Sequence, residues 1–121
     1  MKILVVDDSK AMRMIVVRTL RQAGFSGHDV VEAENGKEAL EKTRELKPDL
    51  VLSDWNMPEM TGIEFLRALR GSGDSTPFCF LTSEGSEEMR TKANEAGALG
   101  LIAKPFTEDA FRDVLGSVVP S

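Results

Sequence analysis

Residues 50–62, LVLSDWNMPEMTG, form the stretch of the sequence from which the fold can be worked out. Four residues typical of a buried strand, LVLS, lead directly into Asp54. The chain then turns through Asn56 and Pro58 before a new helix begins. In an open parallel sheet, the residues just past the carboxyl end of a strand line the ligand-binding crevice. The stretch therefore predicts a central strand that ends in a rigidly held, solvent-accessible carboxylate.

Short apolar runs alternate with helical patterns over the rest of the chain, which is typical of an α/β fold with a parallel sheet. The strands are predicted at residues 3–6, 30–31, 50–53 and 78–81, with a short fifth strand that ends at residue 103. The helices are predicted to begin at Ser9, Asn35, Thr61, Ser86 and Thr107. We therefore expect one α/β domain over residues 1–121, with the second strand at an outer position.

The apolar stripes of the predicted helices differ in size. The fourth helix, residues 86–96, turns only Met89, Ala93 and Ala96 inward, so it should bury little area and be held less firmly than its neighbours. The third helix has a stripe of Ile63, Leu66 and Leu69. The last helix has a stripe of Phe111, Val114, Leu115 and Val118.

Composition excludes several classes of protein. The net charge is −5, from 15 basic and 20 acidic residues mixed along the chain, which argues against non-specific binding to nucleic acid or to anionic membranes. No apolar run approaches the roughly 20 residues that span a bilayer, and the strand-like KILVV directly after Met1 predicts that no signal peptide precedes the fold. A single cysteine, Cys79, excludes an internal disulfide and fits a cytoplasmic location, and its apolar surroundings predict a buried thiol.

Three acids are predicted to meet at one edge of the sheet. Asp7 and Asp8 follow the first strand, and Asp54 follows the third. If these strands are neighbours, the like charges require a cation, a raised pKa, or both. Hard oxygen ligands without a nearby His or Cys favour Mg²⁺. By themselves, Asp7 and Asp8 could equally be an N-terminal helix cap, but with Asp54 added the cation site is the better interpretation.

Two further polar side chains follow strands. Thr82 ends the fourth strand and Lys104 ends the fifth. Taken singly, these are an ordinary strand-end hydroxyl and a surface charge. Together with the acids, they supply four strand ends with groups suited to an anion and a divalent ion, which favours a single site.

The strand-end motifs DD, SDWNMPEMTG, TSE and KPFT, which begin at residues 7, 53, 82 and 104, closely resemble those of response-regulator receiver domains, and in particular the single-domain chemotaxis regulators. The resemblance covers essentially the whole chain. It implies a flavodoxin-like, doubly wound parallel sheet with strand order 2-1-3-4-5 and five helices, an order known for this family that the residues alone do not give.

The resemblance also implies a phosphorylation switch rather than an enzyme. Asp54 would accept a phosphoryl group from a phosphohistidine on a histidine kinase or histidine phosphotransfer protein. Asp8 and Asp54 would hold Mg²⁺ together with the backbone carbonyl of Asn56, and Asp7 would act mostly through water. Such a transfer depends on positioning and charge neutralisation.

The remaining implied roles concern phosphate lifetime and output. Lys104 would pair with phosphoryl oxygens, Thr82 would move its hydroxyl towards them, and Asn56 and Glu84 would set how long the phosphate survives. A monomer is expected, with a protein target binding to the fourth helix, fifth strand and fifth helix. Chemotaxis regulators carry a tyrosine three residues before the lysine, where this chain has Leu101 and no tyrosine at all. That coupling is therefore expected to be altered or absent.

Two alternatives remain open. Aspartate-nucleophile phosphatases of the haloacid dehalogenase type also combine Asp, a hydroxyl, Lys and Mg²⁺, but their second acid corresponds to Asn56 here. The chain could also be a receiver domain taken from a larger regulator with a DNA-binding domain.

Overall fold

The computed structural model describes residues 1–83, 85–104 and 106–119. Strands and helices alternate along this part of the chain. In chain order they are β1 (Lys2–Val6), α1 (Lys10–Gln22), β2 (Asp29–Ala33), α2 (Gly36–Leu46), β3 (Leu50–Asp54), α3 (Gly62–Gly71), β4 (Phe78–Thr82), α4 (Glu87–Glu95), β5 (Gly100–Ala103) and α5 (Glu108–Leu115).

The five strands form one parallel sheet with the order β2-β1-β3-β4-β5, which confirms the predicted flavodoxin-like topology. Val6 lies beside Ser53 on the neighbouring strand, and Thr82 lies beside Ala103. Because these pairs are at the carboxyl ends of their strands, the polar residues that end or follow β1, β3, β4 and β5 emerge at the same edge of the sheet.

Two apolar clusters cover the two faces of the sheet. One joins the strands to α1 and α5 through Val16, Leu20, Phe111 and Leu115. The other joins them to α2, α3 and α4 through Ala39, Phe65, Leu66, Leu69 and Ala93. Since both faces are covered, the central strands β3 and β4 are mostly apolar up to their carboxyl ends, as expected for a doubly wound sheet. Cys79 is buried as predicted, and burial raises the pKa of its thiol to about 12.

The helices begin where the sequence predicts. At each start, one side-chain oxygen accepts a hydrogen bond from the backbone N–H three residues further on, which satisfies a donor that the helix itself leaves unpaired. These capping residues are Ser9, Asn35, Thr61, Ser86 and Thr107.

Three details differ from the sequence prediction. Strand β2 is longer than residues 30–31, because backbone pairing with β1 extends it through polar residues that face solvent at the sheet edge. Helix α5 ends at Leu115, so the half-buried Val118 lies beyond the helix rather than in its stripe. The stripe of α3 is wider than predicted, because Phe65 is fully buried beside Leu66 and Leu69.

None of the helices in the described part of the chain has the length and apolar character that crossing a bilayer requires.

Candidate functional site

The three predicted acids lie together at the carboxyl edge of the sheet. Asp7 and Asp8 directly follow β1, and Asp54 is the last residue of β3. One carboxylate oxygen from each lies within 4.8 Å of the other two. Asp7 is 3% exposed and Asp54 is 9% exposed, whereas Asp8 is exposed to solvent. The cluster is therefore enclosed by protein on one side and open to solvent on the other.

Lys104, which directly follows β5, reaches two of these carboxylates. Its Nζ lies 3.5 Å from Asp7 Oδ2 and 3.7 Å from Asp54 Oδ2. Its backbone N–H donates to the carbonyl of Thr82 at 2.7 Å, which fixes the end of β5 against the end of β4. One ammonium group faces three carboxylates, so the site retains excess negative charge when all of them are ionised.

The local environment raises the pKa of both buried acids. For Asp54 the largest cause is burial, and the neighbouring Asp7 raises the pKa further. Lys104 lowers the pKa of Asp54, and so does the backbone N–H of Trp55, which donates to Asp54 Oδ1 at 2.8 Å. For Asp7, burial is again the largest cause and raises the pKa. The backbone N–H of Ser9 donates to Asp7 Oδ1 at 2.9 Å and lowers the pKa.

Clustered carboxylate oxygens with an uncompensated negative charge fit a divalent cation with a preference for oxygen ligands. The donor set of Asp7, Asp8 and Asp54 therefore fits Mg²⁺. Asn56, whose backbone carbonyl was expected to contribute, is exposed two residues beyond Asp54 and lies at the same edge.

The backbone around Asp54 is held closely by the start of α3. The N–H of Gly62 donates to the carbonyl of Trp55 at 2.8 Å, and the Trp55 ring packs on Phe80 with centroids 4.6 Å apart. A Cβ at position 62 would lie 2.2 Å from the Asp54 carbonyl oxygen, a distance that no real side chain tolerates. Gly62 is thus required for the close approach of α3 to the end of β3, a role that the sequence motif does not reveal.

The expected switch residues lie in different surroundings. Thr82 is fully buried at the end of β4, next to the site. Leu101 is 4% exposed and packs in the apolar cluster on the α4 side of the sheet. A leucine has no polar tip to keep at the surface, and burial in the cluster is favourable for it. Glu84 lies outside the described residues.

Sequence reasoning missed Arg13. This residue of α1 is 7% exposed, donates from Nη1 to the carbonyl of Asp7 at 2.6 Å and pairs through Nε with Glu32 at 2.8 Å. Its position was detectable, because Arg13, Val16 and Leu20 follow the spacing of a single helix face. A charged residue on an apolar face needs hydrogen-bonding partners there.

The fold and the acid cluster define a doubly wound α/β protein with a charged site at the carboxyl edge of its sheet. Comparison with known proteins then identifies the family. The family model of the response regulator receiver domain matches residues 3–115. The chain is 38% identical over 122 residues to the chemotaxis protein CheY1 of Helicobacter pylori, with 98% of this chain and 97% of that protein covered.

It is also 40% identical over 124 residues to a chemotaxis protein CheY homolog of Campylobacter jejuni, with 98% and 92% covered. Among solved structures, the chemotaxis response regulator CheY4 of Vibrio cholerae superposes with a TM-score of 0.83 at 39% identity, with 98% of each chain covered. The receiver domain of Francisella response regulator 1452 gives the same TM-score at 29% identity, with 97% and 94% covered. The chain belongs to the response regulator receiver domain family.

Proposed function

We propose that the protein is a phosphorylation-dependent signalling switch that accepts a phosphoryl group on Asp54 from a histidine kinase or a histidine phosphotransfer protein. The observation that carries this proposal is the Asp54 carboxylate itself. It is held at the end of the central strand, with two further acids and the ammonium of Lys104 within a few ångströms.

In the proposed reaction, a carboxylate oxygen of Asp54 attacks the phosphorus of the phosphohistidine. The new O–P bond forms as the N–P bond breaks, and the imidazole leaves with the bonding electron pair and takes up a proton. The Trp55 N–H bonded to Oδ1 keeps the carboxylate oriented. The ammonium of Lys104, already beside Asp54 Oδ2, is placed to pair with the phosphoryl oxygens.

Asp8, Asp54 and the backbone carbonyl of Asn56 would hold Mg²⁺, with Asp7 acting mostly through water. When bound, the ion supplies positive charge that offsets the carboxylates and the incoming phosphoryl group. The geometry supports this assignment, because one ammonium group does not offset three carboxylates whose oxygens lie within 4.8 Å of one another.

Asn56 and Glu84 are proposed to control the approach of the water that hydrolyses the aspartyl phosphate, and thereby its lifetime. Thr82 is proposed to transmit the phosphorylated state, since it ends β4 between the site and the loop that leads into α4. The target would bind to the surface formed by α4, β5 and α5, and the chemotaxis proteins among the relatives suggest a role in chemotaxis. With Leu101 buried, the change at this surface should be centred on the start of α4 rather than on residue 101.

Intact-mass measurement after treatment with Mg²⁺ and acetyl phosphate tests the acceptor assignment. The wild-type protein should gain the mass of one phosphoryl group, and Asp54→Asn should not. Asp113→Asn, at an exposed position on α5, is the matched control and should be labelled normally. Full labelling of Asp54→Asn would show that the acceptor is another residue.

The donor can be identified by offering the protein to each purified histidine kinase of its source organism. A cognate kinase should transfer phosphate much faster than the others, and transfer should disappear in Asp54→Asn.

A further inference from the structure

We propose that Arg13 is a positioning residue for the metal-binding acids: its guanidinium, braced by Glu32, fixes the peptide group that joins Asp7 to Asp8. This inference rests on the proposed Mg²⁺-dependent function and adds a residue to it that lies outside the ligand set.

The contacts of Arg13 are unusual for an arginine on a helix. It is buried on the inner face of α1, although arginine is rarely buried unless it is paired. Its Nη1 donates to the Asp7 carbonyl at 2.6 Å, and its Nε donates to Glu32 Oε1 at 2.8 Å. The guanidinium therefore connects three elements: helix α1, the end of strand β1 and the edge strand β2.

The bond to Asp7 is made with the backbone carbonyl rather than with the carboxylate. That carbonyl belongs to the peptide group between Asp7 and Asp8, so its orientation sets the direction in which both side chains leave the backbone. The other polar atoms of Asp7 are also bonded: its N–H donates to the carbonyl of Ala33 at 3.1 Å, and its carboxylate accepts from Ser9 N–H and from Lys104. The bond from Arg13 on α1 adds the backbone carbonyl of Asp7 to these hydrogen-bonded groups.

The orientation of the peptide group should matter more for the carboxylate of Asp8 than for that of Asp7. Its side chain is exposed, so the position of its carboxylate depends on the backbone that precedes it. Groups that orient metal ligands typically change metal affinity about 10–100-fold when removed.

Glu32 makes the geometry possible. Its carboxylate is 47% exposed at the edge of the sheet and offsets the charge of the guanidinium. Arginine can serve both partners because its donors point in fixed, different directions, whereas lysine is a single point charge on a flexible stem. We therefore expect Arg13→Lys to retain only part of the effect.

Titration with Mg²⁺, followed by the fluorescence of the single tryptophan, Trp55, tests the inference. Arg13→Gln should weaken Mg²⁺ binding by about 10-fold, Arg13→Lys should weaken it less, and Glu32→Ala should weaken it a few-fold. Arg18→Gln is the matched control, because Arg18 is an exposed arginine of the same helix, and should bind as the wild type does.

A second readout needs no metal. In the metal-free protein, hydrogen exchange of the Ser9 and Asp7 amides should be faster in Arg13→Gln and Glu32→Ala than in Arg18→Gln. If these variants lose stability but the folded protein keeps both its Mg²⁺ affinity and this protection, Arg13 is only a structural residue and the inference is wrong.

Should Arg13→Gln fail to fold, Glu32→Ala decides the question, because it alters an exposed carboxylate and leaves the guanidinium in place. Unchanged Mg²⁺ affinity in Glu32→Ala and Arg13→Lys, with normal binding by the wild type, would overturn this inference alone. A wild-type protein that binds no Mg²⁺ at millimolar concentration would overturn the proposed function as well.

Discussion

Helices α3 and α4 each follow a strand that carries a site residue, yet they are attached to the sheet very differently. Helix α3 buries Gly62, Phe65, Leu66 and Leu69, whereas α4 buries only Ala93. At its N-terminus, α3 approaches the backbone of Asp54 so closely that no side chain fits at Gly62. On α4, by contrast, Arg90 donates a hydrogen bond from Nη1 to the carbonyl of Leu101 at 3.2 Å.

The difference in burial suits the two helices to different roles: α3 to the support of Asp54, and α4 to rearrangement. The proposed acceptor carboxylate of Asp54 needs a fixed support, and α3 provides it through apolar burial that is costly to disrupt. The proposed conformational output requires an element whose rearrangement costs little, and the small buried area of α4 meets that requirement.

The largest expected effect comes from truncating the buried stripe of α3. Phe65→Ala should lower the free energy of unfolding by about 3–5 kcal/mol, because a fully buried aromatic ring is removed. Met89→Ala, at the half-buried position of α4, should cost about 1 kcal/mol or less. Urea denaturation measures both, and comparable losses would contradict the contrast between the helices.

Hydrogen exchange should show the same contrast in the resting protein. We expect the amides of α4 to exchange about 100-fold faster than those of α3, a difference of about 2.7 kcal/mol in opening free energy. Helix α5, which buries Phe111 and Leu115, is the internal control and should resemble α3.

Beryllofluoride, a phosphoryl mimic, should then alter protection mainly in the loop after Thr82 and in α4. The same treatment of Thr82→Ala should give a much smaller change. Changes confined to α1 and α2 would contradict the assignment of α4 as the output element.

A smaller expected effect concerns the pH dependence of stability, which should differ between Asp54 at the end of β3 and Thr82 at the end of β4. The raised pKa of Asp54 means that the folded protein binds its proton more tightly than the unfolded chain does. The carboxyl group therefore favours folding below the ordinary aspartate range, and this contribution is lost as the pH rises through the raised value. Without Mg²⁺, Asp54→Asn should consequently raise the melting temperature at pH 7.

This gain should shrink as the pH falls and should also shrink when Mg²⁺ is added to the wild type. Thr82→Val is the control, since threonine carries no titratable charge and any difference in its stability should be nearly independent of pH. A pH-independent gain in Asp54→Asn would show that charge is not its cause.

The smallest effect concerns the helix caps. Thr61 and Ser86 accept hydrogen bonds from the N–H groups of Glu64 and Met89, at 3.3 and 3.2 Å. Thr61→Ala should cost about 1 kcal/mol of global stability. Ser86→Ala should cost only a few tenths, because the end of α4 can open locally, and should instead speed exchange at residues 87–90. Equal global losses would mean that α4 is coupled to the core as firmly as α3.

Much of this molecule was determined by the sequence alone. The alternation of apolar runs and helical patterns gave the α/β class, and capping side chains such as Ser86 and Thr107 marked the helix starts, because both signals are local. The small buried area of α4 could be predicted from its small residues. The motifs around Asp7, Asp54 and Lys104 were specific enough to indicate the family that the comparisons then confirmed.

Only the tertiary structure decided how those residues act on one another. Lys104 and Asp7 are 97 positions apart in sequence, and their distance depends on the order of the strands in the sheet. The burial of Arg13 against the Asp7 carbonyl, the burial of Leu101 and the close approach at Gly62 depend in the same way on which elements pack together. Secondary structure follows from neighbours along the chain, whereas pKa values, buried ion pairs and steric limits follow from neighbours in space, which a single sequence does not specify.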